Sequence, residues 1–305
     1  MNYTVTQATR LGARRSNQDR IGQWSSREAL MIAVADGMGG HLHGEIAAEV
    51  ACEALGRAFA EEAKPRVAHP AEFLARSVAA AHEAILREAE QRELSEAPRT
   101  TLVACLVQGG FAYWVHVGDS RLYLFRSGRI HARTRDHTFV QQLVDAGRIR
   151  EEAVASHPER NRILQCLGGV QPPRIDAGSE RLAKNDIVLL CSDGLWGPLT
   201  QRQLLNALLG RPLEEAVASL VDLAEMRAGP ECDNTSVIAL SWGQEAVRLP
   251  EDGPRTVPYN ELATDVRDFT ATELDYLRMS DEDVEKAIDE IKAALRKNNA
   301  PPRPQ

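Results

Sequence analysis

Five aspartates and one arginine carry the chemistry this sequence offers. Asp36 ends a run of six apolar residues (30–35, LMIAVA) and is followed by Gly37, Met38, Gly39, Gly40 and His41. Asp193 repeats the pattern, with residues 187–191 (IVLLC) leading through Ser192 to Asp193 and Gly194. Asp119 follows residues 111–117 and Gly118, Asp233 and Asn234 precede residues 235–240, and Asp19 closes the polar stretch 14–19 (RRSNQD). One aspartate before a glycine is an ordinary turn. Several carboxylates delivered to the ends of core strands are a hard-cation site, because buried carboxylates repel unless a multivalent ion neutralises them. All-oxygen donors favour Mg²⁺ or Mn²⁺ over Zn²⁺, and no His or Cys has the spacing of a zinc site. That many carboxylates fits two ions about 3.5–4 Å apart, which would activate a water and clamp a phosphate oxygen. Arg14, near Asp19, can fork two hydrogen bonds onto phosphate oxygens.

The elements that must position these groups are legible in the apolar pattern. Residues 3–11 and 21–24 read as strands on either side of the polar stretch, and 30–35 as a strand buried on both faces. Residues 44–59 turn helical, with Ile46, Val50 and Ala54 on one row and Ala47, Ala51 and Leu55 on the next. Pro70 opens a second helix with a stripe at Leu74, Val78, Ala81 and Ile85. Strands follow at 101–107 and 111–117 about the Gly109-Gly110 turn, and 121–126 runs on to Ser127-Gly128. From 136 to 169 the chain is charged, with helical pieces at 139–146 and 151–155, and reads as an appendage over the edge of the core. A strand at 186–191, helices at 200–209 and 213–228 and a strand at 235–240 complete the domain.

Composition bounds the partners. The 305-residue chain has a formal net charge of -8, which argues against nucleic acid. No run of eighteen apolar residues predicts a membrane span, and the first residues lack the apolar core of a secretory signal. The five cysteines contain no C-x-x-C and sit in or beside apolar runs, as reduced core thiols of a cytoplasmic protein do. Cys191, although close to Asp193, reads as core and not as a nucleophile.

Five motifs now stand in order: Arg14-x-x-Asn17-Gln18-Asp19; Ala35-Asp36-Gly37-Met38-Gly39-Gly40-His41 with Gly44-Glu45; Val117-Gly118-Asp119-Ser120-Arg121; Cys191-Ser192-Asp193-Gly194-Leu195-Trp196; and Asp233-Asn234-Thr235-Ser236. Together they resemble the metal-dependent serine/threonine protein phosphatases of type 2C in their bacterial form, across residues 1–243. The resemblance implies an α+β fold, a four-layer αββα sandwich of two antiparallel sheets flanked by helices. It also implies a dinuclear site at one end of the sandwich and a flap at about 136–169. Asp36 would bridge two Mn²⁺ or Mg²⁺ ions, with the Gly37 carbonyl on one and Asp193 and Asp233 on the other. Asp19 would hold metal-bound water, Arg14 the substrate phosphate, and Asp119 a third ion shared with Asp193 and Ser156. Three departures stand out. Gln18 replaces a carboxylate of some members, Met38 replaces a histidine proposed as general acid (leaving His41 a weak candidate), and Arg99 precedes Thr100-Thr101 where glycine is usual.

The implied activity is hydrolysis of phosphoserine and phosphothreonine in proteins by a dinuclear-metal-activated water, reversing a cognate bacterial kinase. A phosphoprotein-binding pseudophosphatase and a small-molecule phosphoesterase are the alternatives. Beyond the resemblance, residues 244–269 carry Pro250, Pro254 and Pro258 and read as a linker. Residues 270–305 read as a helical C-terminal extension. Thr270 and Glu273 form a capping-box pattern, and Val284, Ile288, Ile291 and Leu295 share one face of a helix at 280–297. Such a face must be covered, by the domain itself or by a partner such as a cognate kinase, its phosphorylated substrate or a regulator.

Overall fold

The computed structural model describes residues 2–38, 43–154, 157–243 and 255–256. In chain order these form β1 (Tyr3–Arg10), β2 (Asp19–Ser25), β3 (Ala29–Met38), α1 (Gly44–Glu62), α2 (Pro70–Gln91), β4 (Arg99–Thr100), β5 (Leu102–Gln108), β6 (Phe111–Val117), β7 (Arg121–Arg126), β8 (Arg129–Arg133), α3 (Phe139–Asp145), β9 (Asp176–Arg181), β10 (Ile187–Cys191), α4 (Asp193–Trp196), α5 (Gln201–Leu208), α6 (Leu213–Ala228), β11 (Thr235–Trp242) and β12 (Arg255–Thr256). One sheet runs β1-β11-β10-β7-β8 and the other β12-β2-β3-β5-β6-β9, with β4 pairing β3. The strand pairs are antiparallel.

Strand alternation sorts the apolar residues into three layers. On β3, Ala29, Met31, Ala33 and Ala35 pack under α1 and α2, and the small alanines let the helices approach closely. Leu30, Ile32 and Val34, on the opposite face, meet Leu122, Leu124, Val188, Leu190, Ile238 and Leu240 of the other sheet. Tyr123, Leu189, Val237 and Ala239 turn outward against α5 and α6. The result is the four-layer αββα sandwich that the motifs imply.

The same period of two carries the site. Asp36 continues the Leu30–Ile32–Val34 face, Asp19 the face of Ile21, Ser192 that of Val188 and Leu190, and Ser236 that of Ile238. The layer between the sheets is apolar along its length and becomes acidic and hydroxylic at one end. The candidate site is the open end of the inner core.

Several elements differ from the sequence expectation. Asp36 lies inside β3, which continues two residues past it, because Gly37 and Met38 pair with β4. Asp19, expected to close the polar stretch between two strands, opens β2 directly opposite Asp36. Asp193 is the first residue of α4. Strands β8 and β9 were not anticipated. β9, DAGSER, has a single alanine as its apolar content, yet pairs with β6 through residues 111–116. Gly178 makes room there for the indole of Trp114, which a Cβ would approach to 2.5 Å. Within the stretch read as a linker, Arg255 and Thr256 pair with Gln23 and Gly22 of β2. The helices expected at 270–305 lie outside the described residues, as do Gly39, Gly40, His41 and Ser156.

Candidate metal centre

Backbone pinning comes first, because a carboxylate is only as well placed as its Cα. The Asp36 carbonyl accepts hydrogen bonds from the Thr101 N–H (2.8 Å) and the Thr100 hydroxyl (2.9 Å). The Gly37 N–H donates to the Gln18 carbonyl at 3.2 Å. A Cβ on Gly37 would collide with the Gly44 backbone at the start of α1, and one on Gly44 would come within 2.8 Å of Gly37. Two glycines therefore let strand and helix touch where Asp36 leaves the core. Asn234 ties the loops together. Its side chain accepts from the Gln18 N–H at 2.9 Å and donates to the Leu11 carbonyl at 2.9 Å.

A buried hydroxyl ladder holds Asp19. The Ser192 hydroxyl donates to Asp19 Oδ2 at 2.7 Å and accepts from the Ser236 N–H at 2.9 Å. Thr9 and Ser236 share a 2.7 Å hydroxyl contact, and Asn17 Nδ2 donates to Thr9 at 2.9 Å. The Asp19 N–H donates to Asn17 Oδ1 at 3.0 Å. The other oxygen, Asp19 Oδ1, is buried without a partner, as is Asp119 Oδ1. An orphaned buried carboxylate oxygen is costly unless something is to bind it.

The charges are in conflict as they stand. Burial pushes Asp19 up to about 7, against the pull of hydrogen bonds from Ser192 and Ser236. Burial also raises Asp36 well above the carboxylate range, aided by Asp19, Asp193, Asp119 and Asp233. Asp193 is raised to about 6 by burial and Asp233. Asp119 is raised by burial, then by Asp193 and Asp136. These carboxyls cannot all ionise together unless cations join them. Oxygen donors, orphaned oxygens and mutual repulsion fit divalent Mn²⁺ or Mg²⁺.

Arg14 reaches the cluster by forking onto Asp233, Nε to Oδ1 at 2.7 Å and Nη2 to Oδ2 at 2.6 Å. Its side chain is 58% exposed, so the guanidinium lies at the mouth of the site. The Asp119 carbonyl accepts the Trp196 indole N–H at 2.9 Å. The Trp196 ring lies 3.5 Å from the Arg121 guanidinium, which forks onto Asp136 at 2.8 and 2.6 Å. The structure thus brings Arg14, Asp19, Asp36, Gly37, Asp119, Asp193 and Asp233 to one end of the sandwich.

Sequence reasoning missed Ser192, Asn17, Asn234 and the Arg121–Asp136–Trp196 group as supports of these residues. Adjacency to the aspartates in the motifs could have signalled all of them but Asp136, which lies in none of the motifs. Cys191 is a core thiol, raised by burial and far from a reactive thiolate.

Set beside known proteins, the chain matches a family profile described as protein phosphatase 2C over residues 6–225. It is 39% identical over 214 residues to the serine/threonine protein phosphatase PstP of Mycobacterium tuberculosis, covering 69% of this chain and 40% of that protein. The chain thus spans well under half the length of that relative. It is 32% identical over 244 residues to the protein phosphatase PhpP of Streptococcus pneumoniae, covering 79% of this chain and 98% of that one. The catalytic domain of PstP, solved in complex with 2 manganese ions, is similar at a TM-score of 0.68 and 32% identity. That likeness covers 79% of this chain and 98% of the other.

Proposed function

The chain belongs to the protein phosphatase 2C family, and from that premise we propose that it is a metal-dependent phosphatase of phosphoserine and phosphothreonine in proteins. One observation carries the reading: carboxylates from both sheets meet at the end of the inner layer, where Asp19 and Asp119 each keep a buried oxygen without a partner. The names of PstP as a serine/threonine protein phosphatase and of PhpP as a protein phosphatase support the substrate class.

Asp36, the Gly37 carbonyl, Asp193 and Asp233 would hold two divalent ions, with Asp19 beside them and Asp119 toward a third. Bound there, such ions supply an activated water and offset the charge of the phosphate. The chain's own residues do the rest. Ser192 fixes the direction of Asp19, and the Thr100 and Thr101 contacts fix the Asp36 backbone. Arg14 exchanges Asp233 for two phosphate oxygens, taking up charge as it develops during displacement at phosphorus. No side chain needs to be phosphorylated along the way.

The test compares hydrolysis of a phosphothreonine peptide and a panel of small phosphoesters, with Mn²⁺ and with excess chelator. Metal-dependent turnover favouring the peptide is expected. Equal or better turnover of a small ester would assign the site to small molecules, and peptide binding without turnover would make the protein an adaptor.

The reading extends to the setting, a cytoplasmic signalling enzyme opposing a bacterial kinase. Free thiols, buried at Cys52, Cys105, Cys191 and Cys232, support it. No helix among the described residues is long and apolar enough to cross a membrane. Residues 270–305 would then dock a phosphorylated partner, a cognate kinase or a regulator. Deleting residues 257–305 should leave peptide turnover and thermal stability unchanged and lower activity toward the natural phosphoprotein. A large drop in melting temperature would make the segment part of the domain's own packing.

A further inference from the structure

A second group of metal-ligating side chains lies apart from the aspartates. His116 near the end of β6, His137 just after β8 and Asp176 at the start of β9 each offer a ligand atom, all within 4.8 Å of one another. His116 and Asp176 are register partners across β6 and β9. The two imidazoles stack with centroids 4.6 Å apart, and His137 Nε2 lies 3.3 Å from Asp176 Oδ2. His116 is 4% exposed and the His137 side chain 8%.

Two details separate this group from an ordinary buried histidine pair. His116 Nε2 meets the Arg135 carbonyl at 2.8 Å. A carbonyl only accepts, so the proton is on Nε2 and the lone pair is on Nδ1. That Nδ1 is buried with no partner, and His137 Nε2 also lacks a well-directed one. A ligating histidine characteristically donates its other N–H to a backbone carbonyl, which fixes the tautomer and turns the free lone pair to the ion. Burial lowers the pKa of His116, which keeps it in the neutral form that ligates.

We propose that His116 Nδ1, His137 Nε2 and Asp176 form a site for a borderline transition-metal ion of the Zn²⁺ type, distinct in chemistry and place from the carboxylate centre. Two imidazoles and one carboxylate suit such an ion better than Mg²⁺, and three protein ligands leave a fourth position for water. Two contacts must yield. The Gly118 N–H reaches His137 Nδ1 at 3.3 Å, which leaves the resting proton on Nε2. On binding, that proton moves to Nδ1 and the long contact is given up. Arg174 holds Asp176 Oδ1 at 2.8 Å and Oδ2 at 3.1 Å, and as a 73% exposed side chain it can release Oδ2.

The site's place gives it a consequence. His137 begins the excursion between β8 and β9 and Asp176 ends it, while His116 belongs to the sheet beneath. An ion there staples both roots of that excursion to β6, three residues before Asp119.

The experiment uses the full chain in excess Mg²⁺, so that the oxygen-donor centre is filled with the ion it prefers. Zn²⁺ is then titrated, and bound zinc per chain is measured after equilibrium dialysis. The wild type and Asp36→Asn are both expected to retain a zinc ion that His116→Gln and Asp176→Asn lose, with affinity at least about tenfold weaker. Asp176 sits on an edge strand with its side chain 29% exposed, so Asp176→Asn serves if His116→Gln fails to fold. Equal zinc retention in Asp176→Asn and the wild type overturns the proposal. So does loss of the zinc in Asp36→Asn, which would assign it to the carboxylate centre.

Discussion

Asp36 is the residue on which the other carboxylates converge, since Asp19, Asp193, Asp119 and Asp233 all raise its pKa after burial has done so. Asp36→Asn takes one ionisable carboxyl out of that repulsion without changing the volume. The metal-free variant should therefore melt no lower than the wild type, while Mn²⁺ affinity falls at least about tenfold and peptide turnover is lost. Calorimetric titration with Mn²⁺ beside a thermal melt separates the two effects. Unchanged Mn²⁺ binding would remove Asp36 from the centre. Arg14 differs, because its fork is planar and a lysine supplies only a point charge. Contact with phosphate in both ground and transition states predicts that Arg14→Lys raises KM more than it lowers kcat. Steady-state kinetics on a phosphothreonine peptide decide this, and an unchanged KM counts against Arg14 as the phosphate ligand.

Among the elements, one buried ion pair joins β7 to the segment that follows β8 and lies against the Trp196 ring of α4. Arg121 and Asp136, with side chains 9% and 4% exposed, form a bidentate pair at the point where the chain leaves β8 for α3. Arg121 also donates to the Tyr123 hydroxyl at 2.9 Å and lies over Trp196, whose indole holds the Asp119 carbonyl. Removing one partner leaves a buried charge uncompensated, so Asp136→Ala should destabilise the domain by about 3–5 kcal/mol. Urea unfolding measures it, and a loss below about 1 kcal/mol would equate the pair with an exposed one. Because Trp196 and Arg121 also border Asp119, the same substitution should loosen any ion held there more than ions held by Asp36.

Over the whole molecule, the raised carboxyls make metal-free stability fall with pH. Asp19 at about 7 and Asp193 at about 6 lie above their unfolded values near 4, so between these limits the native state holds more protons than the unfolded chain. Stability present at pH 4–5 is therefore lost as pH rises through 6 and 7. The metal-free protein should melt several degrees lower at pH 7.5 than at pH 5.5, and saturating Mn²⁺ should restore the higher value, because the ion binds only the folded form. Melting temperatures at both pH values with and without Mn²⁺ check this. A metal-free melting temperature that rises with pH would mean that the carboxylates are neutralised by something within the chain.

Much of this was readable beforehand, for a physical reason. Strand periodicity is local, so residues 30–36 already put Asp36 on the face of Leu30, Ile32 and Val34, and the stripe at Leu74, Val78, Ala81 and Ile85 already buried one side of α2. The motifs likewise marked which aspartates and which arginine belong together. Contacts made across the sandwich have no local periodicity to betray them. The Ser192 hydroxyl finds Asp19 from 173 positions away, and Arg14 finds Asp233 from 219. β9 forms without an apolar stripe because β6 supplies its hydrogen-bond partners and the Trp114 indole that covers Gly178. His116, His137 and Asp176 come from three separate segments with no ligand spacing among them, and only strand pairing sets them around one point. The sequence by itself determined which residue types could do chemistry and which face each strand turns inward. The tertiary structure decided which of those residues meet, because a meeting depends on the register of strands that are neighbours in space and distant along the chain.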